Sequence, residues 1–487
     1  MAGRLANVGI DFAVQVMLVR YLSTTDYGAF AYALSVVSLT ATLAVMGLDR
    51  SIGRYVPMYD EQGDAAKVVG AWIVGSLSAF GIGAALALVV VVLGPTVGGA
   101  LINDDKALAV LLVLVIMTPL TALAAITRQV LATFASPRVI LFRSYLLAPL
   151  LQLVLVAGVL LSGASVEVLA IGWLVVIVIS SAVSTFLVIR ILGQRGLLRG
   201  AFRSPDLPIR PLFSFGLPLF GSSLVMQLRI SGAVILLQAI RGTTEVALFR
   251  AGVPVARQTL ILFETFQLLF TPLAARLYAR DDRAGLNDAY WQTALWIAVF
   301  SFPVFAWAFA FPESLILLFF GERYADMAPT LTILALGFYV NAALGFNSLL
   351  LRILGRVRFT VATDLATMLV GAVAAFPLIA AFGATGAAVA VAGTMVAQNV
   401  VYQVGMRQES GLRAIDLRYW PVYVALLGAT VATGGIGAVA HPSFIGAAIL
   451  TAVASLGVFA VSRSYLRIGS IFPELGRVPL LRSLVGL

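Results

Sequence analysis

The sequence predicts an all-α polytopic membrane protein, two six-helix lobes in a parallel repeat with two helices appended, and three observations carry that prediction. The composition is 61% hydrophobic and 11% charged, with a mean hydropathy of +1.02, far from the balance of soluble domains. Apolar stretches of about 20 residues, long enough to cross a hydrocarbon core of about 30 Å, recur along the whole chain. Segments at one sequence offset echo each other, the mark of a duplication.

About fourteen spans are expected, at 5–22, 28–48, 68–93, 107–127, 140–162, 166–190, 211–239, 246–272, 287–310, 328–351, 358–381, 384–405, 418–438 and 443–462. The first is interrupted by Asn7, Asp11 and Gln15 and runs straight into the second, so it reads as a retained span rather than a cleaved leader. Basic residues fall in every second loop. On one side lie 25 of the 32 Lys and Arg; the other side carries Asp26, Asp104, Asp105, Glu167, Glu245, Glu313, Glu322 and Asp326. The positive-inside rule then puts both termini in the cytoplasm, which requires an even number of spans. This distribution accounts for the net charge of +10 without nucleic acid as a partner. With no cysteine and one histidine, His441, disulfides, thiolate metal sites and iron–sulfur clusters are excluded, and no metal or cofactor is expected.

The duplication is read from several matches. "STTDYGAFAYA" (23–33) aligns with "GTTEVALFRAG" (242–252) at an offset of 219, which also brings Tyr59 onto Tyr278. "SGAS" (162–165) aligns with "FGAT" (382–385) at 220, as does Arg138 with Arg358. Each copy holds six spans, an even number, so the repeats run parallel about an axis along the membrane normal. The expected organisation is an N-lobe at 1–195, a basic Gly- and Pro-bearing linker at 196–210, a C-lobe at 211–408, the last two spans within 414–470 and a cytoplasmic tail at 471–487.

Ionisable residues inside spans are costly in lipid and usually face the bundle interior. Arg250, Arg257 and Glu264 are spaced by seven along the eighth span, on one face of a continuous helix with about 10 Å between neighbours. Pro254 lies between the arginines and permits a kink there. Guanidinium meets a diphosphate bidentately, so Arg257, Arg250 and Arg229 of the seventh span are candidate diphosphate ligands. Arg50 and Arg54, an i, i+4 pair at the basic end of the second span, are placed to attract the incoming anion. Plainer roles stand beside these: Arg257 and Glu264 neutralise one another, Arg250 snorkels to the outer interface, and Arg50 and Arg54 are ordinary positive-inside anchors. Asn7, Asp11 and Gln15 form a polar stripe at four-residue spacing. Asp11 takes up a coupling proton or sodium ion, pairs with a buried arginine, or simply faces cytoplasmic water. Asp364 is either an ion site or a first-turn carboxylate favoured by the helix dipole. In the first copy the positions of Arg250 and Arg257 hold Ala31 and Ser38, so the cationic residues belong to the second copy.

The segments "RYLSTTDYGAFAYALS", "MGLDRSIGRYVPMYDEQGD", "FGERYADMAPTL", "LRILGRVRF" and "FGATGAAVA" resemble the polysaccharide flippases of the multidrug/oligosaccharidyl-lipid/polysaccharide (MOP) exporter superfamily, over roughly residues 5–470. The resemblance implies a V-shaped architecture like that of MATE transporters and lipid flippases, in the bacterial cytoplasmic membrane. It implies a transporter rather than an enzyme, moving a polyprenyl-diphosphate-linked oligosaccharide from the cytoplasmic to the outer leaflet by alternating access, for O-antigen or exopolysaccharide synthesis. Its partners would be that lipid, membrane lipid, and the polysaccharide polymerase and glycosyltransferases of the same pathway; a H+ or Na+ gradient or the membrane potential is the available driving force. Drug/cation antiporters and lipid II flippases belong to the same superfamily and remain alternatives. Many members of the family carry an acidic residue where this chain has "RISGAVILLQ", so a coupling carboxylate there is not carried over. Against an enzyme, no expected loop exceeds about 20 residues; against an ATP-driven pump, no G-x-x-x-x-G-K-[ST] sequence occurs.

Overall fold

In lipid each backbone N–H and C=O must be satisfied within its own segment or a closed barrel, so a chain of apolar runs is driven into helices. The computed structural model describes residues 2–101, 104–198, 205–410, 412–413 and 415–466, and no strand occurs among them. The expected tail at 471–487 and positions 199–204 of the expected linker lie outside the described residues. Ten described helical segments are long and apolar enough to cross a membrane, and one bent pair makes eleven. Dividing the long segment at Gly383 and adding the first helix and the one ending at Ser162 gives the fourteen spans expected. The protein is therefore a multi-pass membrane protein. Contacts divide it into two compact units, 1–250 and 251–487.

The first unit begins with α1 (Ala2–Tyr21), α2 (Thr24–Val45), α3 (Leu48–Glu61) and α4 (Ala65–Leu101). The next span is bent by 42° between α5 (Asp105–Val115) and α6 (Thr118–Phe134). Then come α7 (Pro137–Leu141), a π turn at Phe142–Leu147, α8 (Ala148–Ser162) and α9 (Val166–Gln194). After the linker region, α10 (Ile209–Gln227) passes through a second π turn, Leu228–Gly232, into α11 (Ala233–Arg241), and the unit closes with the start of α12 (Thr243–Arg257). Ser23 starts α2 by accepting the Asp26 N–H at 3.0 Å. Met46 and Gly47 end it, with φ of 49° and 75°.

The segment after α2, which holds Arg50 and Arg54, is not the basic loop expected there: it is the amphipathic helix α3. Its apolar face, Leu48, Ile52 and Val56, is buried with Trp72, Ile126 and Leu212. Packing against α10 is close enough that a Cβ on Gly47 would lie 2.3 Å from the Gly216 carbonyl oxygen, and Ser51 Oγ donates to Leu212 O at 2.6 Å.

Charged loops of the first unit sort by end, as the alternating spans require. Lys106 Nζ lies 3.3 Å from Asp26 Oδ1 and Thr243 Oγ1 donates to Asp104 Oδ2 at 2.5 Å, all from loops assigned to the acidic side. Arg195 lies 3.9 Å from Asp60 and Lys67 3.7 Å from Asp206, all from the basic side.

The second unit contains the rest of α12, then α13 (Leu260–Ala279), α14 (Arg283–Ala310), α15 (Pro312–Phe319), α16 (Ala328–Ala343), α17 (Asn347–Ile353), α18 (Val357–Ser410), α19 (Trp420–Ala440) and α20 (Phe444–Ser462). Helix α14 is its centre, buried along most of its length. Two expectations are corrected. The eighth span is not one continuous helix: α12 ends at Arg257, and tight i+3 hydrogen bonds, Gln258 N to Val255 O at 3.1 Å and Ile261 N to Gln258 O at 3.2 Å, carry the chain into α13. Glu264 thus stands on a different helix from the arginines, and the interruption falls after Pro254 rather than at it. Asp364 lies seven residues beyond the start of α18, past the first turn, so the helix dipole does not account for it.

Within α18, Gly383 takes φ 55° and ψ −130° and reverses the chain. Phe359 meets Gly405, Gly371 meets Thr394 and Leu378 meets Gly386, pairs that nest around Gly383 in an antiparallel hairpin. A Cβ on Gly386 would stand 1.9 Å from the Leu378 carbonyl oxygen. Gly386→Ala must therefore push two backbones apart, and a stability loss of about 2 kcal/mol is expected, measured as a lower melting temperature of the purified protein in detergent. The duplicated segments share backbone habits as well: α2 and α12 begin at the aligned Thr24 and Thr243, and the aligned Gly163 and Gly383 have φ of 64° and 55°.

At the basic end of the second unit, buried Asp416 accepts from Arg418 Nη2 at 2.5 Å and Arg413 Nη1 at 3.2 Å, and Arg418 also reaches Asp288 at 2.9 Å. Burial pushes the Asp416 carboxyl up, but hydrogen bonds from the Arg418 side chain and N–H, with the charges of Arg418 and Arg413, outweigh it and hold the group below its ordinary value. A depressed carboxylate contributes stability that is present above the unfolded value, about 3.9, and is lost as pH falls through the folded value. Asp416→Asn is expected to lower the melting temperature at pH 7, with the gap to wild type closing below about pH 4.

Candidate functional site: a polar cavity in the first unit

Between Arg4 and Arg20, helix α1 is apolar except for the stripe Asn7, Asp11, Gln15, and a stripe in a span is stable only where it meets polar groups or water. Here it does both. Asn7 Nδ2 donates to Asp11 Oδ2 at 2.6 Å, and Gln15 Nε2 donates to the buried Tyr27 hydroxyl on α2. Beside them opens a cavity of about 280 Å³ lined by Asp11, Gln15, Tyr27, Gln152, Trp173 and Arg250, with Phe30 and Ala31 among its apolar walls. Phe30 stands edge-on to Trp173, centroids 5.2 Å apart at 80°, which fixes the indole at the wall.

Arg250 is the unusual member. It is half-buried, its Nε is enclosed without a hydrogen-bond partner, and no hydrogen bond or ion pair to its guanidinium occurs among the described residues. A guanidinium held at a cavity wall with its donors unengaged is arranged to receive an acceptor from outside the protein. Ala31, its counterpart in the first copy, lines the same cavity. The duplicated positions thus face one space, and only one carries charge.

The other candidates are distributed elsewhere. Arg257 Nη2 lies 3.7 Å from Glu264 Oε1, and its side chain is 64% exposed. Arg229 sits on the π turn Leu228–Gly232, which packs against α2, and is not part of the cavity wall. Arg54 lies over the Phe215 ring at 4.4 Å, with Arg50 one turn away on α3. Asp364 is enclosed in the second unit, accepting from Gln398 and Tyr402 and 3.6 Å from Arg352. The cavity therefore unites Asp11, Gln15 and Arg250, with Asn7 hydrogen-bonded behind Asp11, but not Arg229, Arg257, Arg50 or Arg54.

Tyr27, Gln152 and Trp173 are cavity residues that the sequence reading did not single out. Gln152 had a signal, being the one amide in the otherwise apolar α8; Trp173 had none beyond its position inside an apolar run. Among the described residues no group of three His, Asp or Glu is placed to hold a metal.

The sequence matches the family described as polysaccharide biosynthesis protein over residues 17–329. No curated protein matches the chain. Among solved structures, the lipid II flippase MurJ in an inward closed conformation aligns with a TM-score of 0.70 at 13% identity, covering 96% of this chain and 99% of its own. An inward-facing multidrug resistance MATE family transporter of the MOP superfamily aligns at 0.69 with 17% identity, over 84% of this chain and 95% of its own. A mutant of the Vibrio cholerae MATE transporter VcmN aligns at 0.57 with 14% identity, over 84% and 94%. At such identities the likeness is one of fold. The family match spans more than half of the sequence: on the fold of MOP-superfamily transporters, this chain belongs to the polysaccharide biosynthesis protein family.

Proposed function

We propose that the protein is a flippase that moves a polyprenyl-diphosphate-linked oligosaccharide from the cytoplasmic to the outer leaflet of the bacterial inner membrane by alternating access, supplying surface polysaccharide synthesis. The observation that carries this reading is Arg250: a half-buried, unengaged guanidinium on a cavity whose other polar groups include two amides, a phenol and an indole. Guanidinium suits a phosphate oxygen pair; amides and an aromatic face suit sugar hydroxyls and ring C–H groups. At about 280 Å³ the cavity takes the diphosphate end of such a lipid and not a whole glycan. Asp11, on the same wall, is the group available to carry a coupling proton or sodium ion. That carboxylate also supports a second reading, a drug/cation antiporter; lipid II is the third substrate the fold class admits.

The test is leaflet transfer in proteoliposomes holding the full-length protein and a fluorescent polyprenyl-diphosphate oligosaccharide. Transfer above protein-free vesicles is expected. Absence of transfer, together with export of a cationic dye under a H+ or Na+ gradient, would replace the flippase by the antiporter.

A further inference from the structure

A second cavity, in the second unit, shares no lining residue with the Arg250 site. It measures about 470 Å³ and lies where α14 passes into α15 and where α19 turns into α20. Its position along the helices is fixed by α14. The basic cluster of Asp288, Arg413, Asp416 and Arg418 gathers near the start of that helix, and the cavity lies past its end, 28 residues on, or about 42 Å at 1.5 Å per residue. That separation spans a bilayer, so the cavity opens at the opposite membrane interface, the outer one by the positive-inside rule. Trp307, whose ring lies 5.2 Å from Phe444, marks the same level with an interfacial aromatic.

The walls are of two kinds. Phe311, Leu317, Leu318 and Phe444 make an apolar floor, three of them strongly exposed for their type. Glu313 and His441 stand at the mouth, both exposed, with no hydrogen bond or ion pair among the described residues. The two serines are already engaged: Ser314 receives the Trp307 indole N–H at 2.9 Å, and Ser443 caps α20 through the Gly446 N–H. An occupant must therefore bring an apolar chain, a hydrogen-bond-donating cation for Glu313, and an acceptor for the His441 ring N–H beside the N-terminus of α20.

We infer that this cavity is a binding site for a zwitterionic phospholipid of the outer leaflet, phosphatidylethanolamine. Its ammonium faces Glu313, its phosphate faces His441 and the start of α20, and an acyl chain lies along Leu317, Leu318 and Phe444. Phosphatidylglycerol lacks the cation, and phosphatidylcholine carries one without N–H donors. The site does not depend on what the protein transports.

Native mass spectrometry of the full-length protein, delipidated and then incubated with defined mixed micelles, reads lipid retention directly. Retention of phosphatidylethanolamine about tenfold above phosphatidylglycerol and phosphatidylcholine is expected, falling to their level in Glu313→Gln and weakening in His441→Ala, with melting temperatures measured without added lipid unchanged. Phosphoethanolamine, which has no chains, should fail to compete. Equal retention of the three lipids by the wild type, a preference that survives in both variants, or full competition by phosphoethanolamine would each overturn the assignment.

Discussion

Arg250→Ala is expected to abolish lipid-linked oligosaccharide transfer, by about a hundredfold or more, while leaving the protein folded. A guanidinium that makes two charge-assisted hydrogen bonds to a diphosphate contributes on the order of 3 kcal/mol to holding it, and that is about a hundredfold in occupancy. The effect on the fold runs the other way. Because Arg250 has no hydrogen bond or ion pair among the described residues and its Nε is enclosed, removing it breaks no internal contact of that kind and relieves the burial of an unpaired charge. The melting temperature should hold or rise. Arg250→Lys keeps the charge but not the two-pronged geometry, and transfer about tenfold below wild type is expected. Wild-type transfer by Arg250→Ala in the proteoliposome assay would remove Arg250 from the binding site.

Asp364→Ala should do the reverse, destabilising the second unit with the cavity of the first unit intact. Asp364 is 9% exposed and holds three partners: the Gln398 amide, the Tyr402 hydroxyl and the Arg352 guanidinium. Deleting the carboxylate leaves the two enclosed donors with only their longer bonds, Gln398 Nε2 to Tyr402 Oη at 3.3 Å and Tyr402 Oη to Thr360 O at 3.4 Å, and the arginine without its counter-charge. Breaking a buried ion pair from one side costs about 3–5 kcal/mol; with Arg352 40% exposed, water recovers part of that, and about 3 kcal/mol is the expected loss. For a unit of this size that is about 6–12 °C in melting temperature. Asp364→Asn retains an acceptor for Gln398 or Tyr402 and loses only the charge, so a smaller drop is expected. A melting temperature unchanged in both variants would mean that the network is not structural.

The two variants separate the roles a buried charge can have. In a span, a charge can be satisfied by internal partners, as at Asp364, or stand unengaged at a cavity wall, as at Arg250. Sequence spacing does not distinguish these cases. Arg250, Arg257 and Glu264 share a seven-residue period that would place them on one face of a single helix, yet the chain breaks after Arg257, and only Arg257 and Glu264 meet.

Hydrophobicity, charge and glycine placement by themselves determined the apolar helical spans, the sorting of charged loops by end in the first unit, and the break between the eleventh and twelfth spans, where Gly383 reverses the chain. Each is a property of a segment and its solvent: apolar length decides whether a run can cross the bilayer, loop charge decides its direction, and a glycine decides where the backbone can reverse. Tertiary structure alone decided which polar groups share a space. It folded the expected first basic loop into α3, where burial of Leu48, Ile52 and Val56 outweighs the segment's charge. It also brought Gln152 and Trp173 from the fifth and sixth spans to Asp11, Gln15 and Arg250. In a chain where nearly every span is apolar all round, helical periodicity carries little information about which face looks inward. The facing of each helix is set by packing against its neighbours, and that choice leaves one arginine unengaged at a cavity wall and another paired.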